Sequence, residues 1–141
     1  MKIHLTRRYA FAASHRLHSQ RLSEEENWRV YGKCNNPYGH GHNYVVEVTV
    51  SGPVDPSTGM VAHLGELDHF VQQEVLERFD HKNLNQELAA FRDRVPTTEN
   101  LCIEIYNRLS GFPAARLERV RLEETSLNSF EYSGEPDGSN R

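Results

Sequence analysis

The chain has 141 residues, 37 % of them apolar and 26 % charged, with a formal net charge of −4. We expect one domain over residues 1–133, followed by a flexible tail at 134–141. The negative charge argues against nucleic acid or an anionic membrane as a partner. The sequence has neither an apolar run of membrane-spanning length nor a secretory leader, and its two cysteines are too few for a disulfide framework. These features predict a cytoplasmic protein with free thiols.

The apolar pattern predicts four strands. Two-residue alternation places them at residues 3–14, 42–51, 116–125 and 128–133. Turn-rich connections and the order of the elements favour an α+β fold with an antiparallel sheet. Exposed edges of such a sheet are often closed by self-association, so an oligomer is expected.

Two main helices and one short helix are predicted between these strands. Apolar residues at helical spacing indicate an amphipathic helix over residues 64–79. A second helix should begin after Pro96, with Thr97 or Thr98 as its N-cap. The capping-box sequence at 23–26 predicts a short helix that ends at Gly32.

His40, Gly41 and His42 form the sharpest local motif. In an extended chain the two imidazoles leave the same face, with Cα atoms about 6.5–7 Å apart, a separation that suits two ligands of one metal ion. The alternative is a turn that carries two exposed polar rings. His15 favours the metal, because it ends a strand on the apolar parity, where an unpartnered polar ring is costly. Three histidines without a fourth protein ligand are typical of a catalytic rather than a structural zinc site.

Two further positions are candidates for acid–base chemistry. Cys34 lies in the loop before His40 and is interpreted as a fourth zinc ligand, a buried small residue, or a nucleophile or base. A metal and a histidine beside it would lower the pKa of its thiol. Asp80 precedes His81 in a predicted helix break, where a carboxylate can orient an imidazole; the alternative is a pair that only caps a turn.

Glu124 is singled out by strand parity. In the predicted strand 116–125, Val120 and Leu122 point to the apolar side, and Glu124 continues that side while Glu123 points to solvent. A carboxylate on a buried face needs a partner, and N–H groups of a bound ligand would serve. The alternative is a strand end at which the parity breaks.

Several motifs together resemble the 6-pyruvoyl-tetrahydropterin synthase family, including its 6-carboxytetrahydropterin synthase relatives. They run in order along the chain: FAASHRLHS (11–19), YGKCNNPYGHGHNY (31–44), DPSTGMV (55–61), DHKNLN (80–85), PTTEN (96–100) and EET (123–125). The resemblance implies a tunnelling fold, in which a four-stranded antiparallel sheet is backed by two helices. It also implies a homohexamer in which two barrel-forming trimers stack.

The resemblance further assigns roles to particular residues. It implies a catalytic zinc ion held by the three histidines already singled out, a catalytic Cys34 and a catalytic Asp-His pair. It places Glu124 as the anchor of the pterin, with Thr97 and Thr98 in the pterin-binding stretch. No motif position of this sequence departs from the family's pattern, so each assignment stands.

The implied reaction converts 7,8-dihydroneopterin triphosphate, a small molecule accompanied by Mg²⁺, and eliminates triphosphate. The long loop before His42 and the acidic helix before it favour the pyruvoyl product over the 6-carboxy product of queuosine biosynthesis.

Two alternatives of other functional classes remain open from the sequence. A non-catalytic binding module would use a structural zinc closed by Cys34, and a zinc hydrolase or deaminase would need a His-x-Glu pair that the sequence lacks.

Overall fold

The computed structural model describes residues 2–135, and its centre is a pair of long antiparallel strands. Strand β1, Ile3–His15, pairs with β2, His40–Gly52, over its whole length. β2 also pairs with β4, Arg116–Thr125, which in turn pairs with β5, Asn128–Tyr132. All four predicted strands are therefore confirmed, with ends that differ by one or two residues.

A fifth, very short strand changes the predicted sheet. β3, Lys82–Asn83, runs parallel to β1 beside Ala13 and Ser14, and the strand order is β3-β1-β2-β4-β5. The sequence predicted only a break here, because two residues are too few to show alternation. The outer side of β1 from residue 3 to residue 11 has no strand partner among residues 2–135.

The predicted helices form, one of them with an unexpected turn. The first main helix comprises α2, Leu64–Val71, a π-helical turn, Gln72–Leu76, and α3, Glu77–Phe79. The second, α5, spans Thr98–Leu109 and is capped by Thr97. The structure also contains α1, Glu24–Tyr31, and α4, Leu84–Glu87. The capping box at α1 is present, since the Ser23 side chain accepts from the Glu26 amide and the Glu26 carboxylate accepts from the Ser23 amide.

The two faces of the sheet differ in what they carry. On one face, which we call the covered face, alternate strand residues pack against the helices. This core includes Phe11, Tyr44, Val46, Val48, Val50, Val120 and Leu122. The other face, which we call the open face, is polar, and there the Glu47 carboxylate accepts from Arg8 at 3.0 Å and from Arg121 at 3.1 Å. His15 belongs to the covered face and is fully buried at the end of β1.

No helix within residues 2–135 is long and apolar enough to cross a membrane. From residue 136 onward, the tail expected at 134–141 lies outside the described residues.

Candidate metal and active site

His15 is fixed in orientation by a backbone carbonyl. Its Nδ1 lies 2.8 Å from the oxygen of Pro96, which can only accept a hydrogen bond. Nδ1 therefore carries the proton, and Nε2 is left with a free lone pair. Burial lowers the pKa of His15, so the ring is neutral, as a metal ligand must be.

His42 lies beside His15 on the covered face. The register pairs His42 with Ala13, and the ring centroids of His15 and His42 are 5.0 Å apart. The Nε2 atoms of both rings are buried and have no hydrogen-bond partner among residues 2–135. Burial also lowers the pKa of His42. Buried polar atoms almost always have a partner, so two orphaned imidazole nitrogens at one place fit a metal site.

Cys34 completes the compact group around these nitrogens. One donor atom from each of His15, Cys34 and His42 lies within 4.8 Å of the others. Among residues 2–135, this group of donor atoms does not include one from His40. Its exposed ring packs against His42, with centroids 4.6 Å apart. The three predicted ligands are thus neighbours, but the tightest set contains Cys34 in place of His40.

The thiol of Cys34 is held in its protonated form. Burial raises its pKa, and the negative charge of Glu124 raises it further. The lowered pKa expected from the sequence requires a nearby positive charge, and His15 and His42 are kept neutral by burial. A bound cation would supply that charge.

Glu124 lies on the same face as the histidines, where strand parity placed it. Its carboxylate accepts from the Thr98 hydroxyl and, at 3.3 Å, from Asn128 Nδ2. One carboxylate oxygen is 3.7 Å from His42 Nε2. Burial acts to raise the pKa of Glu124, but the hydrogen bonds from Thr98 and Asn128 outweigh it and lower that pKa. Glu124 is therefore an ionised acceptor at the edge of the histidine group.

Thr97 and Thr98 have different surroundings although they are adjacent. Thr97 is used locally, since its hydroxyl accepts from the Asn100 amide as the N-cap of α5. Thr98 is buried and donates to Glu124. Of the two, only Thr98 contacts another predicted site residue.

The Asp80–His81 pair forms beside the outer edge of β1. Asp80 Oδ1 is 2.9 Å from His81 Nδ1 and also accepts from the Ala12 amide. The backbone of His81, at a positive φ of 61°, donates to the Ala12 carbonyl, and its side chain is 81 % exposed. Neither residue makes a hydrogen bond with Cys34 within residues 2–135. Asp80 thus binds the outer edge of β1 through the Ala12 amide, and the imidazole of His81 beside it is exposed to solvent.

Two partners in the site were missed from the sequence. The Pro96 carbonyl is a backbone group and has no side-chain signature. Asn128 begins β5, and nothing in its spacing distinguishes it from an ordinary turn residue. The one available signal was the hairpin between the predicted strands at 116–125 and 128–133, because its short turn brings Asn128 close to Glu124.

Comparison with known proteins agrees with this fold. A family model described as 6-pyruvoyl tetrahydropterin synthase matches residues 4–135. A relative named 6-pyruvoyl tetrahydrobiopterin synthase, from Poecilia reticulata, is 50 % identical over 133 residues, which are 94 % of this chain and 90 % of the relative. The solved structure of Caenorhabditis elegans 6-pyruvoyl tetrahydropterin synthase superposes with a TM-score of 0.91 at 41 % identity, covering 96 % of this chain and 97 % of that one.

These matches define the class of protein and then the family. The chain is an α+β protein with the tunnelling fold. It belongs to the 6-pyruvoyl tetrahydropterin synthase family, and the predicted resemblance is confirmed. A relative named as a putative 6-carboxy-5,6,7,8-tetrahydropterin synthase, from Archaeoglobus fulgidus, is 39 % identical over 85 residues, which are 60 % of this chain and 67 % of the relative. The higher identity and coverage on the pyruvoyl side agree with the branch and the lyase activity that the sequence favoured.

Proposed function

We propose that this chain is a zinc-dependent 6-pyruvoyl-tetrahydropterin synthase, a lyase that acts on 7,8-dihydroneopterin triphosphate and releases triphosphate. The observation that carries the proposal is the pair of buried, unpartnered Nε2 atoms of His15 and His42, beside Cys34 and Glu124. Such a group has no structural use without a ligand, because unpartnered buried polar atoms reduce stability.

His15, His40 and His42 are the proposed zinc ligands. The neutral state of His15 and the lone pair on its Nε2 suit a ligand, and the exposed ring of His40 packs against His42. When bound, Zn²⁺ supplies a Lewis acid that lowers the pKa of substrate hydroxyls and stabilises negative charge as a carbon-bound proton leaves.

Glu124 is the proposed anchor of the pterin ring. As an ionised acceptor it can bind the 2-amino group and N3–H of the pterin through two charge-assisted hydrogen bonds. The Thr98 hydroxyl holds the carboxylate in place. Because Glu124 lies 3.7 Å from His42, a pterin held there adjoins the histidine group.

Cys34 and the Asp80–His81 pair are the proposed proton carriers. Cys34, once deprotonated, accepts a proton from a side-chain carbon, and the His81 imidazole, oriented by Asp80, returns protons to the product. When the adjacent side-chain carbon loses its proton, the electron pair of that C–H bond forms a double bond to the last carbon. The bond between the last carbon and the triphosphate oxygen breaks, and its electron pair leaves with the triphosphate. No water nucleophile takes part in this sequence.

The proposed assembly is a homohexamer, a dimer of trimers, of a single cytoplasmic domain covering residues 1–133. Two features of residues 2–135 support assembly: the outer edge of β1 has no strand partner over residues 3–11, and β5 is the last strand at the opposite edge. His81 is exposed beside the β1 edge and makes no hydrogen bond with Cys34 among these residues. We therefore propose that His81 and Asp80 serve the site of a neighbouring subunit.

The decisive test is product analysis. The purified protein is incubated with zinc, Mg²⁺ and dihydroneopterin triphosphate, and the pterins are separated chromatographically. Release of triphosphate with a 6-pyruvoyl product is expected. A 6-carboxy product with acetaldehyde would move the chain to the other branch, and no new pterin would contradict the enzyme proposal.

Mixed oligomers test the shared site. Cys34→Ser and His81→Ala chains, each nearly inactive alone, are unfolded together and refolded as mixtures. If one subunit supplies Cys34 and its neighbour supplies His81, the mixture regains a substantial fraction of wild-type activity. Activity no higher than the average of the two parent variants would place all catalytic groups in one chain.

A further inference from the structure

A cavity of about 870 Å³ is lined by residues that adjoin the histidine group in the chain. Its walls come from four stretches, which lie within residues 16–21, 37–39, 83–86 and 91–95. Three of them adjoin a site residue, because Arg16 follows His15, Gly39 precedes His40, and Val95 precedes the Pro96 that contacts His15. Consecutive Cα atoms are ~3.8 Å apart, so the backbone that lines the cavity continues directly into the proposed metal site.

Arginine is the dominant charged residue of this cavity, which we call the arginine cavity. Arg16, Arg21, Arg92 and Arg94 line it, against a single carboxylate, Asp93. Arg94 is already engaged, since it contacts the Glu104 carboxylate at 3.0 Å. The other three have no ion-pair partner within residues 2–135.

This lack of partners distinguishes the three arginines from the rest of the described chain. Nine arginines form an ion pair: Arg7, Arg8, Arg29, Arg78, Arg94, Arg108, Arg116, Arg119 and Arg121. Among residues 2–135, the arginines without one are the three that line the arginine cavity. Uncompensated like charges gathered around one cavity are unfavourable unless an anion binds there.

Hydrogen bonds from its backbone and its guanidinium to other residues hold Arg16 in position. The Arg16 amide donates to Asn85 Oδ1 at 2.7 Å, and Asn85 Nδ2 donates to the Arg16 carbonyl at 2.8 Å. Its guanidinium Nε donates to the Asn35 carbonyl at 3.0 Å, which leaves the other guanidinium donors available. A cation is therefore fixed at the end of the cavity nearest to His15.

We propose that the arginine cavity is a polyphosphate-binding subsite that holds the triphosphate arm of the substrate. The assignment rests on the proposed function, in which the pterin lies at Glu124 and its side chain passes the histidines. Guanidinium groups present paired N–H donors that match phosphate oxygens, and Arg16, Arg21 and Arg92 have donors to spare. The same cations stabilise the triphosphate anion after the C–O bond has broken and its electron pair has left with the oxygen.

The test compares charge removal inside and outside the cavity. Arg21→Gln/Arg92→Gln removes two exposed, unpaired charges and leaves the fold intact. Arg29→Gln/Arg78→Gln removes two exposed charges elsewhere and is the matched control. Titration calorimetry with inorganic triphosphate, on the zinc-loaded oligomer at low salt, should show that the cavity variant raises Kd by about tenfold or more, and the control by far less.

Kinetics with dihydroneopterin triphosphate separate the substrate arm from an unrelated anion site. The cavity variant should raise KM by about tenfold with a smaller change in kcat, as expected for a lost binding contact. Weaker triphosphate binding with an unchanged KM would show a site for a free polyanion and overturn the assignment to the substrate. Equal Kd values for the cavity variant and its control would overturn the subsite altogether. Triphosphate binding by a wild-type protein that forms no pterin product would contradict the proposed function and leave the anion subsite standing.

Discussion

The two faces of the sheet handle their polar groups in opposite ways. On the open face, Glu47 lies between Arg8 and Arg121, and Glu118 is bonded to both Lys2 and Ser51. On the covered face, two imidazole nitrogens are buried with no hydrogen-bond partner within residues 2–135. Arg119 Nε on the open face is also buried without one, but another nitrogen of its guanidinium lies 3.9 Å from the Glu131 carboxylate. The open face therefore places its charged groups beside opposite charges, whereas the covered face gathers neutral ring nitrogens whose lone pairs are available to a ligand.

The largest expected effect is at the unsatisfied cluster. His42→Ala should abolish stoichiometric zinc binding and reduce turnover by about 10³-fold or more, because an orphaned ligand nitrogen is removed. His69→Ala, an exposed histidine on α2, is the control. Metal analysis after dialysis against zinc, followed by activity assays, checks both. Undiminished zinc in the variant would mean that the orphaned nitrogens are not ligands.

Cys34→Ser separates a catalytic thiol from a structural ligand. We expect a folded, zinc-loaded protein whose turnover is about 10²–10⁴-fold lower, the usual contribution of a positioned proton carrier. Zinc content and thermal unfolding are measured on the same sample. Loss of both metal and fold would instead support a structural zinc closed by Cys34, which is the binding-module alternative.

Glu124→Gln tests the pterin anchor with a change of charge but almost none of shape. Losing a charge-assisted pairing should lower kcat/KM by about 10–100-fold. Glu123→Gln is the matched control, since the adjacent residue points to the other face of β4. Equal losses in the two variants would contradict the role that strand parity assigns to Glu124.

Glu47→Gln tests the satisfied face. It removes the charge shared by Arg8 and Arg121 and should lower the free energy of unfolding by about 1 kcal/mol, because partly exposed ion pairs stabilise weakly. Turnover per folded chain should not change. Chemical denaturation measures the first quantity, and a loss of turnover larger than the loss of folded protein would show that the two faces are not functionally separate.

The smallest expected effect is the loss, at acid pH, of the stability that Glu118 contributes. Hydrogen bonds from Lys2 and Ser51 lower its pKa from 4.5 to about 2. A lowered carboxylate pKa stabilises the fold above the unfolded-state value, and this contribution is lost as pH falls from about 4.5 toward 2. The difference in thermal unfolding temperature between wild type and Glu118→Gln should therefore shrink over that interval. A constant difference would show that Glu118 does not titrate with folding.

Sequence periodicity predicted which residues share a face but not which loops meet. Parity placed His15 and Glu124 on the apolar side and His40 and His42 on one face, because side chains alternate strictly along a strand. It could not place Cys34 in one group with His15 and His42, since that depends on how the 3₁₀ turn over residues 32–35 folds back. Long-range contacts between irregular segments leave no period in the sequence.

The same limit explains the other differences. The position of His81 beside β1 follows from the pairing of β3 with β1, a two-residue contact with no sequence signature. The arginine cavity is assembled from four stretches of chain, so its arginines appear scattered in sequence. The group is recognised only by comparison with the other arginines of residues 2–135, each of which has an ion-pair partner.

Residues 96–98 connect two functions through one short stretch of backbone. The Pro96 carbonyl sets the proton position on His15, and two residues later Thr98 holds the carboxylate of Glu124. Between them, Thr97 starts α5. A shift of this helix start therefore moves the proposed metal ligand and the proposed pterin anchor together. We therefore expect that substitutions at these positions change metal affinity and substrate orientation at the same time.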